Sequence, residues 1–154
     1  MHLDADAGDT ISPMKLQKLI YYAQAWHLVM YDEPLFEDRI EAWGHGPTVP
    51  SVYKRFKDEF REGIPFEALY NEEYDCPKLS IELEDFLKDI QFRYGEHSAR
   101  FLENLVCREL PWRKARRNAA GAIPDYSLAE ITRESMKAYY SNLKYGQQPR
   151  TATI

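Results

Sequence analysis

The chain has 154 residues, 14% of them aromatic, and its 20 Lys and Arg against 25 Asp and Glu leave a formal charge of −5. That length suits one domain with a real core, and the aromatic content excludes disorder for the bulk of it. No stretch approaches the ~18 consecutive apolar residues of a membrane span, and the mild acidity argues against nonspecific nucleic-acid binding over the whole surface.

The first eleven residues form an acidic segment without an apolar core, so they do not read as a signal peptide. Cys76 and Cys107 belong to no CxxC pair, which disfavours a disulfide framework or a cysteine zinc site. Both features point to a reduced, cytoplasmic protein. Ser12 then reads as an N-cap and Pro13 as the first helical residue. Leu16, Leu19, Ile20, Ala23, His27 and Met30 follow at helical spacing, and Tyr22, Trp26 and Val29 add apolar surface beyond that stripe. The helix is expected to be buried on more than one side and to stop at Asp32-Glu33-Pro34.

Phe36, Asp38, Ile40 and Ala42 alternate with Glu37, Arg39, Glu41 and Trp43, the period of a short strand. Its expected partner is an extended stretch near Ala122-Ile123, since a lone strand cannot satisfy its backbone. Trp43 falls on the polar face, where it could pack under the following helix. Gly44-His45-Gly46-Pro47 reads as a turn, and a second helix begins near Pro50 with Val52, Tyr53, Phe56 and Phe60 on its stripe. Residues 66–78 read as an exposed acidic connector. A helix through Leu79, Leu83, Phe86, Leu87, Ile90 and Tyr94 ends at Gly95, and another runs from Ser98 to Pro111. Trp112-Arg113-Lys114-Ala115-Arg116-Arg117 reads as a basic turn. Ser127 with Glu130 reads as a capping box for a last helix whose inner face is Leu128, Ile131, Ser135, Ala138 and Tyr139. Residues 146–154 read as a flexible tail. The expected fold is mainly α: a single compact helical domain of about five or six helices with a small two-stranded β element.

The block from Ser12 to Leu28, with Pro34-Leu35-Phe36, Ile40-Glu41-Ala42-Trp43, Gly46-Pro47 and Val49-Pro50-Ser51-Val52-Tyr53, resembles the Panacea domain family, which includes GepA-like phage-associated proteins and SocA-type antitoxins. A weaker likeness continues through Tyr94-Gly95 and Glu109-Leu110-Pro111-Trp112 to Ala115-Arg116, so residues 12–145 are read as the Panacea-like antitoxin domain. Many relatives carry a histidine shortly before the Pro-Trp pair, where this chain has Cys107, and many have a longer helix ahead of the first block. The resemblance implies a helical protein that neutralises a cognate toxin by direct contact and occlusion, as in a type II-like toxin–antitoxin system. One branch instead acts as an adaptor that delivers its toxin to a AAA+ protease.

The candidate chemistry is sparse. His27, Glu41 and Cys107 could be arranged as a Cys–His–acid set, but a nucleophile needs a base within hydrogen-bond reach, which spacing does not establish. The histidines at 2, 27, 45 and 97 have no metal-ligand spacing. The glycine-rich loop either displays His45 for binding or is a tight exit from the strand. Residues 100–117 carry six basic and two acidic side chains, and residues 67–89 carry eight acidic and two basic. Such segregation steers a complementary partner, unless these are solvated faces or pair with each other. The candidate partner-binding residues are therefore His45, Trp112, Arg113, Arg116, Arg117 and Tyr140, with no catalytic residue, metal or cofactor expected. An enzyme is not expected. A small hydrolase using His27 or His45 and a DNA-binding autorepressor stand as lesser alternatives.

Overall fold

A computed structural model describes residues 10–56, 64–65, 79–117 and 127–146. Its longest element is α1 (Pro13–Tyr31). The Ser12 hydroxyl accepts from the Lys15 amide at 3.1 Å, and Pro13 occupies the first turn, where its missing N–H costs nothing. Asp32 ends the helix in the left-handed region at φ 56, a conformation a short polar side chain tolerates. Leu16, Leu19, Tyr21, Tyr22, Ala25, Trp26 and Leu28 are all buried, so α1 is enclosed on more than one side, as its surplus of apolar residues implied. Met30, at the end of the expected stripe, is exposed and His27 is half-buried.

The remaining elements pack around α1. They are β1 (Thr10–Ile11), β2 (Glu41–Trp43), β3 (Gly46–Thr48), α2 (Pro50–Phe56), β4 (Ile64–Pro65), α3 (Ile81–Tyr94), α4 (Ala99–Arg108), α5 (Leu110–Arg116) and α6 (Arg133–Gly146). Helices α2, α3, α4 and α6 and strand β3 all touch α1. The described residues thus contain six helices and two antiparallel ladders, β1–β4 and β2–β3, in a mainly α arrangement. Polar side chains on α1 are spent on the irregular segments beside it. The Gln24 amide accepts from the Leu35 and Phe36 amides and donates to the Phe36 carbonyl, while Gln17 brackets the Val49 amide and carbonyl. Each replaces the neighbouring strand that those backbone groups lack.

Several sequence expectations are corrected. Only residues 41–43 of the alternating stretch form a strand, because Gln24 takes the backbone groups at 35–36. The strand pairs with β3 through Trp43↔Gly46 and Glu41↔Thr48, so Gly44-His45 alone makes the turn. On its other edge it meets residues 129–131, with the Ala42 amide on the Ala129 carbonyl and the Ile131 amide on the Ile40 carbonyl, both at 2.8 Å. That use as sheet edge keeps 127–131 extended, so the expected capping box is not formed. Instead α6 opens at Arg133, with the Thr132 hydroxyl accepting from the Ser135 amide. The inner face of α6 shifts by a residue to Met136 and Tyr140, leaving Ala138 and Leu128 exposed. The helix from Ser98 breaks at Glu109, and the basic run is helical, as α5, rather than a turn. The stretch near Ala122-Ile123, the acidic connector 66–78, Phe60, most of the N-terminal segment and the tail from 147 lie outside the described residues.

Candidate functional site

Two ionisable groups are buried against α1, and they differ in what satisfies them. Glu109 sits between α4 and α5. Its Oε1 accepts from the Tyr22 hydroxyl at 2.5 Å and the Tyr140 hydroxyl at 3.1 Å, and the Tyr21 hydroxyl lies 3.1 Å from that of Tyr140. The Tyr22 ring stacks on Tyr94 with centroids 4.1 Å apart, and the Trp26 Nε1 donates to the Tyr94 hydroxyl at 2.7 Å. Burial raises the Glu109 carboxyl above its ordinary value, while the Tyr22 and Tyr140 hydroxyls oppose the rise. Burial likewise raises the Tyr21, Tyr22 and Tyr140 hydroxyls, and pushes Tyr94 up to about 12, so all four stay neutral at physiological pH. The cluster ties α1, α3, α5 and α6 together and is enclosed by its own members.

Lys18 is the opposite case. It is 1% exposed, yet its ammonium makes neither a hydrogen bond nor an ion pair among the described residues. Its chain passes beneath Gly46, whose φ of +116° and missing Cβ make room: a Cβ there would stand 3.1 Å from the Lys18 Cε. Burial lowers its pKa, with Glu103 and the Cys107 thiol on α4 acting the other way. Lys18 also lines a cavity of about 420 Å³ between the start of α1, the β2–β3 hairpin and α2. Met14, Trp43, His45, Tyr53 and Phe56 complete most of its wall. Trp43 meets Tyr53 edge-to-face at 4.8 Å, which places it against α2 as its position in the strand suggested. A neighbouring groove of about 410 Å³ on the α3 side is lined by Leu19, Ile20, Leu87 and Ile90, with Asp38 as its charged residue.

The sequence-derived candidates fall into two groups. His45 is exposed at the hairpin tip, and Arg113 and Arg117 are exposed on and just after α5. Trp112 is half-buried, and its Nε1 donates to the Trp43 carbonyl at 2.9 Å, which docks α5 on the back of β2. Arg116 is 4% exposed: it donates to the Ala42 carbonyl at 2.8 Å and lies over the Trp112 ring at 5.0 Å. Tyr140 is fully buried in the Glu109 cluster, and Tyr139 is the ring left half-exposed. Arg116 and Tyr140 therefore belong to the scaffold and not to the free surface, because helix α5 and the shifted register of α6 turn them inward.

His27, Glu41 and Cys107 serve separate neighbourhoods. His27 Nδ1 lies 2.6 Å from the Glu33 carbonyl, Glu41 binds Arg39 and the Trp43 indole, and Cys107 sits near Lys18 and Glu103. Burial pushes the Cys107 thiol up to about 11, which keeps it a thiol and a poor nucleophile at neutral pH. Among the described residues no group of His, Cys, Asp and Glu is arranged to hold a metal, and no helix is long and apolar enough to cross a membrane. Lys18 and Met14 were not singled out from sequence, and Tyr53 was read as part of the stripe of the second helix. The available signal for Lys18 was its place on the turn-repeat of Tyr22, Ala25 and Val29, where it is the single charge on an apolar line.

The chain belongs to the family described as Antitoxin SocA-like, Panacea domain, which it matches over residues 16–113, from the first turn of α1 into α5. The family suggests an antitoxin role and a non-enzymatic one. Among curated proteins it is 46% identical over 46 residues to Antitoxin SocA of Caulobacter vibrioides (strain NA1000 / CB15N), a stretch covering 30% of this chain and 24% of that relative. The chain thus matches about a quarter of that relative's length. No solved structure matches the chain significantly.

Proposed function

We propose that this protein is an antitoxin that neutralises a cognate toxin protein by binding it directly and covering its working face. The family match across α1 to α5 carries the reading. The arrangement of polar groups supports it: the buried carboxylate, amides and tyrosines hold helices and loops in place, a role in building a surface. His45 at the hairpin tip and Arg113, Lys114 and Arg117 on and just after α5 are exposed, and Trp112 ties α5 to the hairpin through the Trp43 carbonyl. Exposed charge of one sign speeds encounter with an acidic partner, and a covering interface of this kind would bury about 1,200–2,000 Å² in total.

Co-expression with the toxin encoded beside this gene tests the reading. Growth rescue with a stable complex is expected, and loss of rescue with both proteins soluble would overturn it. Rescue that disappears in a strain lacking the AAA+ protease would instead assign the adaptor role.

A further inference from the structure

We propose that the cavity between α1, the hairpin and α2 receives an acidic side chain of the toxin, flanked by apolar residues, and that its carboxylate becomes the partner of Lys18. This deepens the antitoxin reading and rests on it.

Three observations converge. The cavity is lined mostly by apolar and aromatic side chains, with Lys18 and His45 as its basic members and no carboxylate among the described residues of its wall. Met14 and Tyr53, 38% and 43% exposed, line this same space, so large apolar surface is left in the open around a concave site. Concave apolar walls with a few placed polar groups are the usual form of a binding pocket. Lys18, finally, is 1% exposed and makes no hydrogen bond or ion pair among the described residues. A buried ammonium without a counter-ion is costly, and a carboxylate arriving from outside relieves that cost. Its lowered pKa agrees with an ammonium that burial penalises and that neighbouring Glu103 offsets only in part.

The chemistry selects the occupant. A purely apolar insert would fill the walls and leave the ammonium stranded. A basic one would add a like charge beside Lys18 and His45. An Asp or Glu set among aromatic or aliphatic neighbours matches both the charge and the lining, and Trp43 and Tyr53 offer ring edges and faces to its apolar flanks. The second groove, with Asp38 in its wall, lacks this complementarity.

The test uses the full chain and the purified product of the adjacent toxin gene, with binding followed by titration calorimetry. Met14→Glu and Tyr53→Glu change exposed residues at the mouth, and Lys18→Met keeps the shape of the side chain while deleting the charge. Each is expected to weaken binding at least tenfold while leaving the thermal midpoint of the free protein no lower than about 3 °C below the unmodified chain. Amide hydrogen exchange of the unmodified complex supplies a readout that needs no variant: slowed exchange is expected across residues 12–18 and 43–56. Unmodified exchange there, or unchanged affinity in all three variants, overturns the inference while leaving the antitoxin reading intact. Failure of the unmodified chain to bind at all overturns both.

Discussion

Glu109 and Lys18 are both buried against one helix, and their surroundings are opposite. The carboxylate has two hydroxyl donors at 2.5 and 3.1 Å and lies inside a closed aromatic cluster. The ammonium has no hydrogen-bonded partner among the described residues and borders a cavity. A buried ionisable group held by hydrogen bonds specifies how helices meet. One whose bonds are incomplete, beside open space, holds back interaction energy that a partner can claim. The first is a structural joint and the second a docking point, and neither role could be assigned from residue type alone.

The largest effect should come from breaking the satisfied site. Tyr22→Ala removes a fully buried ring from its stack on Tyr94 together with a donor to Glu109. It is expected to cost about 3–5 kcal/mol in urea unfolding. Tyr22→Phe, which removes the donor and keeps the ring, should cost about 1–3 kcal/mol, and equal losses for the two would deny the hydrogen bond any part.

Next is the spacing above Lys18. Gly46→Ala forces a side chain into φ +116° and against both Lys18 and the Val106 Cγ1 at 3.3 Å. About 2 kcal/mol of stability should be lost, and a crystal structure or NMR spectrum of the variant should show the Lys18 chain displaced.

The pH dependence of stability should separate the two groups by sign. Glu109 titrates above its ordinary value of 4.5 in the fold, so the folded chain holds that proton more tightly than the unfolded one. Its contribution is complete below about pH 4.5 and is lost as pH rises through the raised value. Lys18 titrates below its ordinary 10.5, so its contribution is complete above that pH and is lost as pH falls through the depressed value. Each slope is bounded by about 1.4 kcal/mol per pH unit. Glu109→Gln should abolish the first and Lys18→Met the second, read from urea midpoints across the pH range.

The smallest effect has the reverse sign. Lys18→Met replaces an unsatisfied charge by an apolar chain of similar length and should stabilise the free protein by about 1 kcal/mol. A gain in stability with a loss in toxin affinity is the pattern of a residue kept for function at some cost to the fold. A loss in both would make Lys18 a structural residue like Glu109.

Much of the architecture was legible because it is local. The N-cap at Ser12, Pro13 in the first turn, the stop at Asp32 and the apolar surplus that encloses α1 follow from steric and hydrogen-bonding rules acting over a few residues. The family was legible for the same reason, since its blocks cluster along α1 and the hairpin. What local rules missed was set by distant partners. Ser127 and Glu130 have the pattern of a capping box, yet the free edge of β2 recruits 129–131 and delays the helix to Arg133. That delay turns Tyr140 inward to Glu109. The basic run winds into a helix because Trp112 and Arg116 find carbonyl acceptors on β2, at Trp43 and Ala42.

The amino-acid order by itself determined α1 and the presence of most other helices, the charge segregation and the kinship, because propensity, capping and periodicity act between near neighbours. Tertiary packing alone decided which polar residues are structural and which remain available. Burial and bond satisfaction depend on groups that meet across 28 residues, as Lys18 and Gly46 do, or across 87, as Tyr22 and Glu109 do.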